Sequence, residues 1–201
     1  MSILQNRATG CQLFSVIRAM SPLLALLLFA AGCQGHGGHR GDRHKILPPE
    51  VPVGLEVPPG NELVSRVSAV GMQIYVWTVN PTNAAQARWV FKAPHAVMFA
   101  SNERSLGEVV GIHFAGPTWQ HNDGSKVVAT RVVSVTVNSN AVPWLLLLAF
   151  NKPGDGTSAG TTYIQRVNTF GGLPPATPGR TADEEALVPY RADYYFYRAK
   201  Q

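Results

Sequence analysis

The feature that most constrains this fold is a two-residue alternation of side chains that recurs along much of the sequence. It is clearest in residues 72–77 and in residues 190–197 near the C-terminus. This period is that of a β-strand whose two faces meet different surroundings. The 19 glycines and 15 prolines stand between the apolar runs, where all-β domains have their turns. We therefore predict that residues 61–201 form one all-β domain, a β-sandwich of about 8–10 strands, with a closed or partly open β-barrel as the alternative.

Two segments refine this prediction. Asp123-Gly124 predicts a hairpin turn, since both central residues of such a turn need a positive φ. Residues 144–150 are apolar without alternation. Because a strand that is apolar on both faces must bury both, we expect this run to be covered on its two sides.

Residues 1–33 have the organisation of an export signal. Arg7 and Arg18 supply positive charge, and residues 23–31 form an apolar run that small residues follow. The run is too short to cross a bilayer, which takes about 20 residues. We expect the chain to be exported and residues 1–33 to be a signal peptide of the lipoprotein type.

The end of this segment, Ala30-Ala31-Gly32-Cys33, resembles the bacterial lipoprotein box, with Ala30 where leucine is usual. The resemblance implies lipidation of Cys33 and attachment to a membrane through that lipid. The alternative is ordinary cleavage nearby with Cys33 unmodified. We expect an outer-membrane or other cell-envelope lipoprotein, on the periplasmic or the surface side.

Residues 34–60 read as a flexible tether, rich in glycine and histidine at first and in proline later. The tether contains His36, His39 and His44, and neutral imidazoles can capture copper, nickel or zinc. No cysteine or second carboxylate fixes a ligand geometry there. We therefore favour a polar spacer and keep metal capture as an alternative. No cofactor is predicted, apart from a transition metal as that alternative.

The charge of the domain argues against nucleic acid as a partner. The whole chain has a formal net charge of +5, but residues 47–201 contain 12 basic and 11 acidic residues. A nucleic-acid-binding domain is expected to be strongly basic. The chain also lacks a Gly-x-Gly-x-x-Gly turn and a Walker loop, so nothing indicates a dinucleotide or nucleoside triphosphate.

The densest group of polar residues surrounds the predicted hairpin and contains His113, Trp119, His121, Asp123 and Ser125. A histidine, an acid and a hydroxyl are the components of a nucleophilic triad. However, aspartate and serine beside a turn glycine usually bond their own backbone, and no nucleophile elbow is present. We favour a structural role for Asp123 and Ser125. A metal shared by the two histidines is a further alternative.

A second group of candidates lies in the predicted strands near the C-terminus. The guanidinium of Arg166 could hold a carboxylate or phosphate, or could pair inside the protein with Glu108 or Asp193, which we favour. The candidate ligand-binding residues are His113, Trp119, Gln165 and Tyr190, and the candidate catalytic residues are His113, Asp123 and Arg166.

Several short motifs come in an order that resembles a known family. They are Gly71-Met72-Gln73-Ile74-Tyr75, Ala93-Pro94, Gly111 with His113, Gly116-Pro117-Thr118-Trp119, Asp123-Gly124-Ser125, Pro143-Trp144, Tyr163 to Arg166, Gly171-Gly172 and Val188-Pro189-Tyr190. Together they resemble the secreted bacterial and fungal proteins grouped as domain of unknown function 3455, over roughly residues 50–198. The resemblance implies a secreted all-β domain and implies no activity.

The sequence departs from this family at two positions. The family often has a cysteine where Trp77 stands and another near Pro178, and the resemblance implies that the two pair. With both absent, this domain must be stabilised by packing, and Trp77 is a candidate to fill the space.

These observations lead to three hypotheses about function. The first is a cell-envelope-anchored module, more a binding protein than an enzyme, that takes up a small molecule or an envelope component. The second is a secreted hydrolytic or metal-assisted enzyme that uses the region of His113 and Asp123. The third is a lipoprotein that captures metal through its histidine-rich tether.

Overall fold

The computed structural model describes residues 46–102, 105–150 and 155–201. The predicted export signal, Cys33, and the tether histidines His36, His39 and His44 lie outside the described residues. Within them the chain forms eight strands: β1 (Asn61–Asn80), β2 (Asn83–Asn102), β3 (Ser105–Phe114), β4 (Thr118–His121), β5 (Lys126–Val135), β6 (Trp144–Phe150), β7 (Thr161–Gly171) and β8 (Glu185–Ala199).

The strands form one antiparallel sheet that closes on itself. Each strand pairs with the next one in sequence, and β8 pairs with β1 from Asn61 opposite Ala199 to Val76 opposite Glu185. The prediction of an all-β domain is confirmed. The strand number is at the lower end of the predicted range. The hydrogen bonding forms a closed ring, which is the connectivity of the barrel alternative.

The core fills the inside of this ring. Its buried residues come from seven of the eight strands, with partly buried Val110 of β3 packed against them, and include Ala69, Ala96, Met98, Trp119, Val127, Leu147, Ile164 and Phe196. Gly71 on β1 leaves no room for a side chain, since a Cβ there would lie 2.2 Å from the carbonyl oxygen of His95 on β2. A glycine at this position therefore allows the close approach of the neighbouring strands β1 and β2.

A second cluster covers the outer face of β7 and β8. Val167, Tyr195 and Tyr197 are buried there, and Val51 and Val57 of the Pro-rich segment before β1 pack against them. The Pro-rich part of the predicted tether thus lies on the domain that it leads into. Within the described residues no helix is long and apolar enough to cross a membrane.

The first half of β6 is buried on both of its faces, as its lack of alternation predicts, whereas Leu148 and Phe150 are 36% and 58% exposed. Leu145 and Leu147 belong to the inner core. Leu146 points the other way and is still only 4% exposed. Its neighbour in the ladder is Gln165 of β7, whose Nε2 donates to the carbonyl oxygen of Leu55, 2.6 Å away.

Trp77 occupies the place that the family resemblance assigned to a cysteine. A Cβ on Gly179 would lie 2.4 Å from Cγ of the Trp77 ring, so the ring rests directly on that glycine. Trp89 meets Trp77 edge-on, with ring centroids 5.3 Å apart, and its Nε1 donates to the carbonyl oxygen of Thr177. The two tryptophans therefore hold the 177–179 loop, which contains Pro178, beside β1.

Candidate ligand-binding site

A cavity of about 480 Å³ opens into one end of the strand ring, beside the turn between β3 and β4. Its inner wall consists of buried residues from the core, and its rim includes exposed residues such as Lys92, Gly116 and Arg131. The volume lies within the range typical of small-molecule sites, about 300–1,000 Å³. The apolar part of the lining comprises Tyr75, Phe91, Pro94, Trp119, Val142, Pro143, Leu145 and Leu147.

An aromatic cluster forms one wall of the cavity. The His113 and Trp119 rings are stacked with centroids 4.2 Å apart, and Tyr194 meets both of them edge-on. The cluster follows from register, because His113 on β3 pairs directly with Trp119 on β4. Inward side chains of paired residues on neighbouring strands are close enough to pack.

His113 is a neutral imidazole in this wall. Its Nδ1 lies 2.9 Å from the carbonyl oxygen of Thr118. A carbonyl oxygen can only accept, so Nδ1 carries the proton and Nε2 keeps its lone pair. Burial lowers the pKa of His113 to about 3, with a smaller lowering by the charge of Arg166. His113 therefore offers the cavity an uncharged ring.

Arg166 brings a positive charge to the same cavity. Its Nε and Nη2 donate to the carbonyl oxygen of Pro143, at 3.1 and 2.8 Å. The expected pairing with Glu108 or Asp193 is absent from the described part of the chain, because Asp193 bonds Arg66 at 2.8 Å instead. In the part of the chain that the structure describes, no acidic residue lines the cavity.

Several buried donors at the cavity have no hydrogen-bond partner among the described residues. They are Nε2 of Gln73, Nε1 of Trp119 and the hydroxyl of Tyr194. The hydroxyl of Tyr190, a buried residue that does not itself line the cavity, has no such partner either. These groups nevertheless lie close together. Weak side-chain hydrogen bonds between the two tyrosines, between Gln73 and Tyr190, and between Arg166 and Tyr194 affect the pKa values of the tyrosines, although none of them reaches normal hydrogen-bond geometry. Burial raises the pKa of both tyrosines, so their hydroxyls stay protonated.

The structure separates the remaining candidates from this cavity. Gln165 lies on the outer face, where its Nε2 bonds Leu55 and its Oε1 accepts from the Tyr197 hydroxyl at 2.6 Å. It is neighbour to Arg166 in sequence, and successive strand residues point to opposite faces. Of the four candidate ligand-binding residues, His113 and Trp119 line the cavity, while Tyr190 is buried next to it.

Asp123 belongs to a separate polar network at the β4–β5 hairpin. Its carboxylate accepts from the Ser125 hydroxyl and backbone, and from the hydroxyl and backbone of Thr157. These hydrogen bonds hold the pKa of Asp123 well below its usual range. The carboxylate therefore fastens the hairpin to the 155–158 segment and does not line the cavity that contains His113 and Arg166.

His121 extends this network into the protein. Its Nδ1 lies 3.0 Å from the hydroxyl of Ser158, whose backbone N–H donates to the hydroxyl of Ser125. His121 and Ser158 are both buried, and neither lines the cavity. In the described residues no three histidine, cysteine, aspartate or glutamate side chains come together as metal ligands.

Sequence reasoning missed several cavity residues, above all Gln73, Leu145 and Leu147. Strand alternation assigns residues to two faces, and only the closure of the ring shows which face lies inside. Ser158 and Thr157 were missed as well, because their contacts with the hairpin span more than 30 residues of sequence. For this hairpin network the sequence offered one indication, an acid beside a turn glycine.

The comparisons with known proteins establish the family of the chain. The sequence profile of the proteins of unknown function DUF3455 matches residues 58–198. That range begins in the segment before β1 and ends in β8, so it contains seven strands and all but the last residue of the eighth. Neither a curated protein nor a solved structure matches the chain significantly. The chain belongs to the DUF3455 family.

Proposed function

We propose that this protein binds a small organic molecule in the cavity at the end of the strand ring. The observation that carries the proposal is one cavity of about 480 Å³ whose wall combines the apolar surfaces of Trp119 and Leu147 with the polar side chains of Gln73, His113 and Arg166. A mostly apolar pocket with a few convergent polar groups is the usual form of a small-molecule site.

The distribution of these groups supports binding at this place. In the described residues six buried side-chain atoms have no partner, and four of them belong to Gln73, Trp119, Tyr190 and Tyr194. In protein interiors nearly all buried polar groups have a hydrogen-bond partner. A concentration of exceptions around one cavity is what a site prepared for a polar ligand group requires.

The same geometry gives less support to catalysis. A hydrolytic site needs a nucleophile, a base and an orienting acid within hydrogen-bond reach of each other. Here His113 lies at the cavity, whereas Asp123 is engaged in the hairpin network with Ser125 and Thr157. The described residues that line the cavity include no serine, cysteine or acid. Binding therefore fits the arrangement better than acyl transfer or hydrolysis.

We further propose that binding takes place at the cell envelope, with the domain anchored through Cys33. The support is the sequence of residues 1–33, which ends in a motif that resembles the lipoprotein box. Metabolic labelling with a palmitate analogue should mark the wild-type chain and leave Cys33→Ser unmarked. Equal labelling of the two, or none of either, would reject the anchor.

The neutral fluorescent probe N-phenyl-1-naphthylamine tests the cavity. Its aromatic body suits the lining, and its fluorescence rises when it leaves water. We expect saturable binding of one probe per chain and a matching rise in thermal stability, since a ligand at 100 times its Kd adds about 2.7 kcal/mol. A signal that grows without saturation, with no thermal stabilisation, would contradict the proposal.

A further inference from the structure

The charge of the cavity narrows the class of ligand, given the proposed function. We propose that the ligand is amphipathic and carries one oxyanion, such as a carboxylate, which Arg166 binds while an apolar body fills the rest of the cavity. This inference rests on the proposal that the cavity is a ligand site, and it adds the chemistry of the molecule that binds there.

The balance of charges around the cavity is the first support. Among the described residues its lining contains three cationic side chains, Lys92, Arg131 and Arg166, and no acidic one. Lys92 is neutralised by a salt bridge to Glu185. Arg166 has no acidic partner among the described residues, although it is partly buried. A buried charge without a counterion is costly, and an anionic ligand would supply the missing charge.

The anchoring of the guanidinium is the second support. Nε and Nη2 of Arg166 are fixed on the carbonyl oxygen of Pro143, which is itself part of the cavity wall. A guanidinium has five N–H groups, so Nη1 and one hydrogen of Nη2 are left for another acceptor. A fork held in one orientation loses little freedom when it binds an oxyanion.

The neighbours of Arg166 are the third support. Tyr194 and Gln73 also line the cavity, with a hydroxyl and an amide that have no partner in normal hydrogen-bond geometry among the described residues. The positive charge of Arg166 lowers the pKa of Tyr194 and of His113, which places the guanidinium within electrostatic reach of both. An oxyanion has several lone pairs and can accept from a guanidinium, a hydroxyl and an amide together.

The rest of the cavity lining indicates the chemistry of the apolar body of the ligand. Trp119, Leu145 and Leu147 are buried and apolar, and Tyr75 has its hydroxyl occupied by the carbonyl oxygen of Gly172. These surfaces favour a hydrocarbon or aromatic body over a sugar or a peptide, which would bring polar groups without partners. The class is therefore an amphipathic acid and not a free inorganic anion.

A matched pair of probes separates this inference from the proposed function. 8-Anilinonaphthalene-1-sulfonate has the ring system of N-phenyl-1-naphthylamine and adds one sulfonate. We expect the sulfonate probe to bind the wild-type protein at least about tenfold more tightly than the neutral probe, equivalent to about 1.4 kcal/mol. Arg166→Met should abolish this preference while the neutral probe still binds.

Two further variants serve as controls. Arg191→Gln removes an arginine that stacks on Phe170 and does not line this cavity, and it should keep the preference. Arg166→Lys keeps the charge but loses the fork, and it should keep part of the preference. If the neutral probe binds the wild-type protein as tightly as the sulfonate, the inference fails and the proposed function stands. If neither probe binds, the proposed function fails as well.

Displacement of the bound sulfonate probe then identifies the oxyanion. Decanoate, decyl phosphate and decanol share one chain and differ in their head group. We expect decanoate or decyl phosphate to displace the probe at concentrations at least about tenfold lower than decanol needs. The anion that displaces the probe at the lower concentration shows whether the cavity prefers a carboxylate or a phosphate. Equal displacement by decanol would overturn the requirement for an anion. This experiment uses the wild-type protein, so its result does not depend on the folding of a variant.

Discussion

His113 and Trp119 face each other across the ladder between β3 and β4, and their rings stack with centroids 4.2 Å apart. The pair connects the fold to the cavity, because the same two rings belong to the core and to the cavity wall. His113 is therefore expected to matter for stability as well as for the shape of the site.

Replacement of His113 tests this dual role. His113→Ala removes the stacked ring and leaves the carbonyl oxygen of Thr118 without its donor, so we expect unfolding to become easier by about 2–4 kcal/mol. His113→Phe keeps a ring and should lose less. Urea unfolding of the two variants checks the order. Equal losses would show that the ring contributes nothing beyond its hydrogen bond.

The pH dependence of stability follows from the same residue. The folded pKa of His113 is about 3, below the value of about 6.5 in an unfolded chain. Between these values the unfolded state binds more protons, so the free energy of unfolding falls as the pH falls. Between pH 7 and pH 4.5 we expect a loss of about 2–3 kcal/mol from this group, at 1.36 kcal/mol per pH unit below 6.5.

His113→Phe is the control for that prediction, because phenylalanine does not titrate. Urea unfolding at pH 7 and pH 4.5 should give a smaller difference in this variant than in the wild type. His121, whose pKa burial also lowers, accounts for part of the dependence that remains. An unchanged difference between the two pH values in His113→Phe would assign the effect to other groups.

From the sequence it was easier to predict which segments form strands than to predict which residues of distant segments come into contact. A turn at Asp123-Gly124 is confirmed between β4 and β5, although only Gly124, with a φ of 83°, has the positive φ expected of both residues. The burial of β6 on both faces is confirmed only for Leu145, Leu146 and Leu147. Both follow from local patterns, which depend on residues close together in the sequence.

The site was only partly predictable, for a physical reason. Gln165 and Arg166 were both candidates, yet adjacent residues of a strand point to opposite faces, so only one of them could reach the cavity. Which one does so depends on the pairing of β7 with β6 and β8, and on the closure of β8 onto β1. Those contacts join distant parts of the chain and leave no local signal.

The contact between Trp77 and Gly179 gives a prediction about the loop that replaces the expected cysteine pair. Gly179→Ala should destabilise the protein, since its Cβ would lie 2.4–2.8 Å from the Trp77 side chain. Trp77→Ala should cost about 1–3 kcal/mol through lost packing. The double variant should lose less than the sum of the two, because the clash disappears with the ring. Additive losses in thermal unfolding would argue against the contact.

Asp123 gives a prediction that separates structure from catalysis. Asp123→Ala should lower the unfolding temperature, because four hydrogen bonds from Ser125 and Thr157 lose their acceptor. Asp155→Ala removes an exposed acid from the same segment and serves as the matched control. We expect probe binding in the cavity to stay the same in both variants. Loss of probe binding in a folded Asp123→Ala protein would return Asp123 to the site.

The most direct test of the central claim compares two adjacent leucines of β6. Leu147 is 3% exposed and lines the cavity, whereas Leu148 is 36% exposed and lies on the other face. Leu147→Phe should fill part of the cavity and weaken binding of N-phenyl-1-naphthylamine at least about tenfold, equivalent to about 1.4 kcal/mol. Leu148→Phe should bind the probe as the wild type does, with urea unfolding showing that both variants are folded. Undiminished binding by a folded Leu147→Phe protein would contradict a ligand site inside the ring of strands.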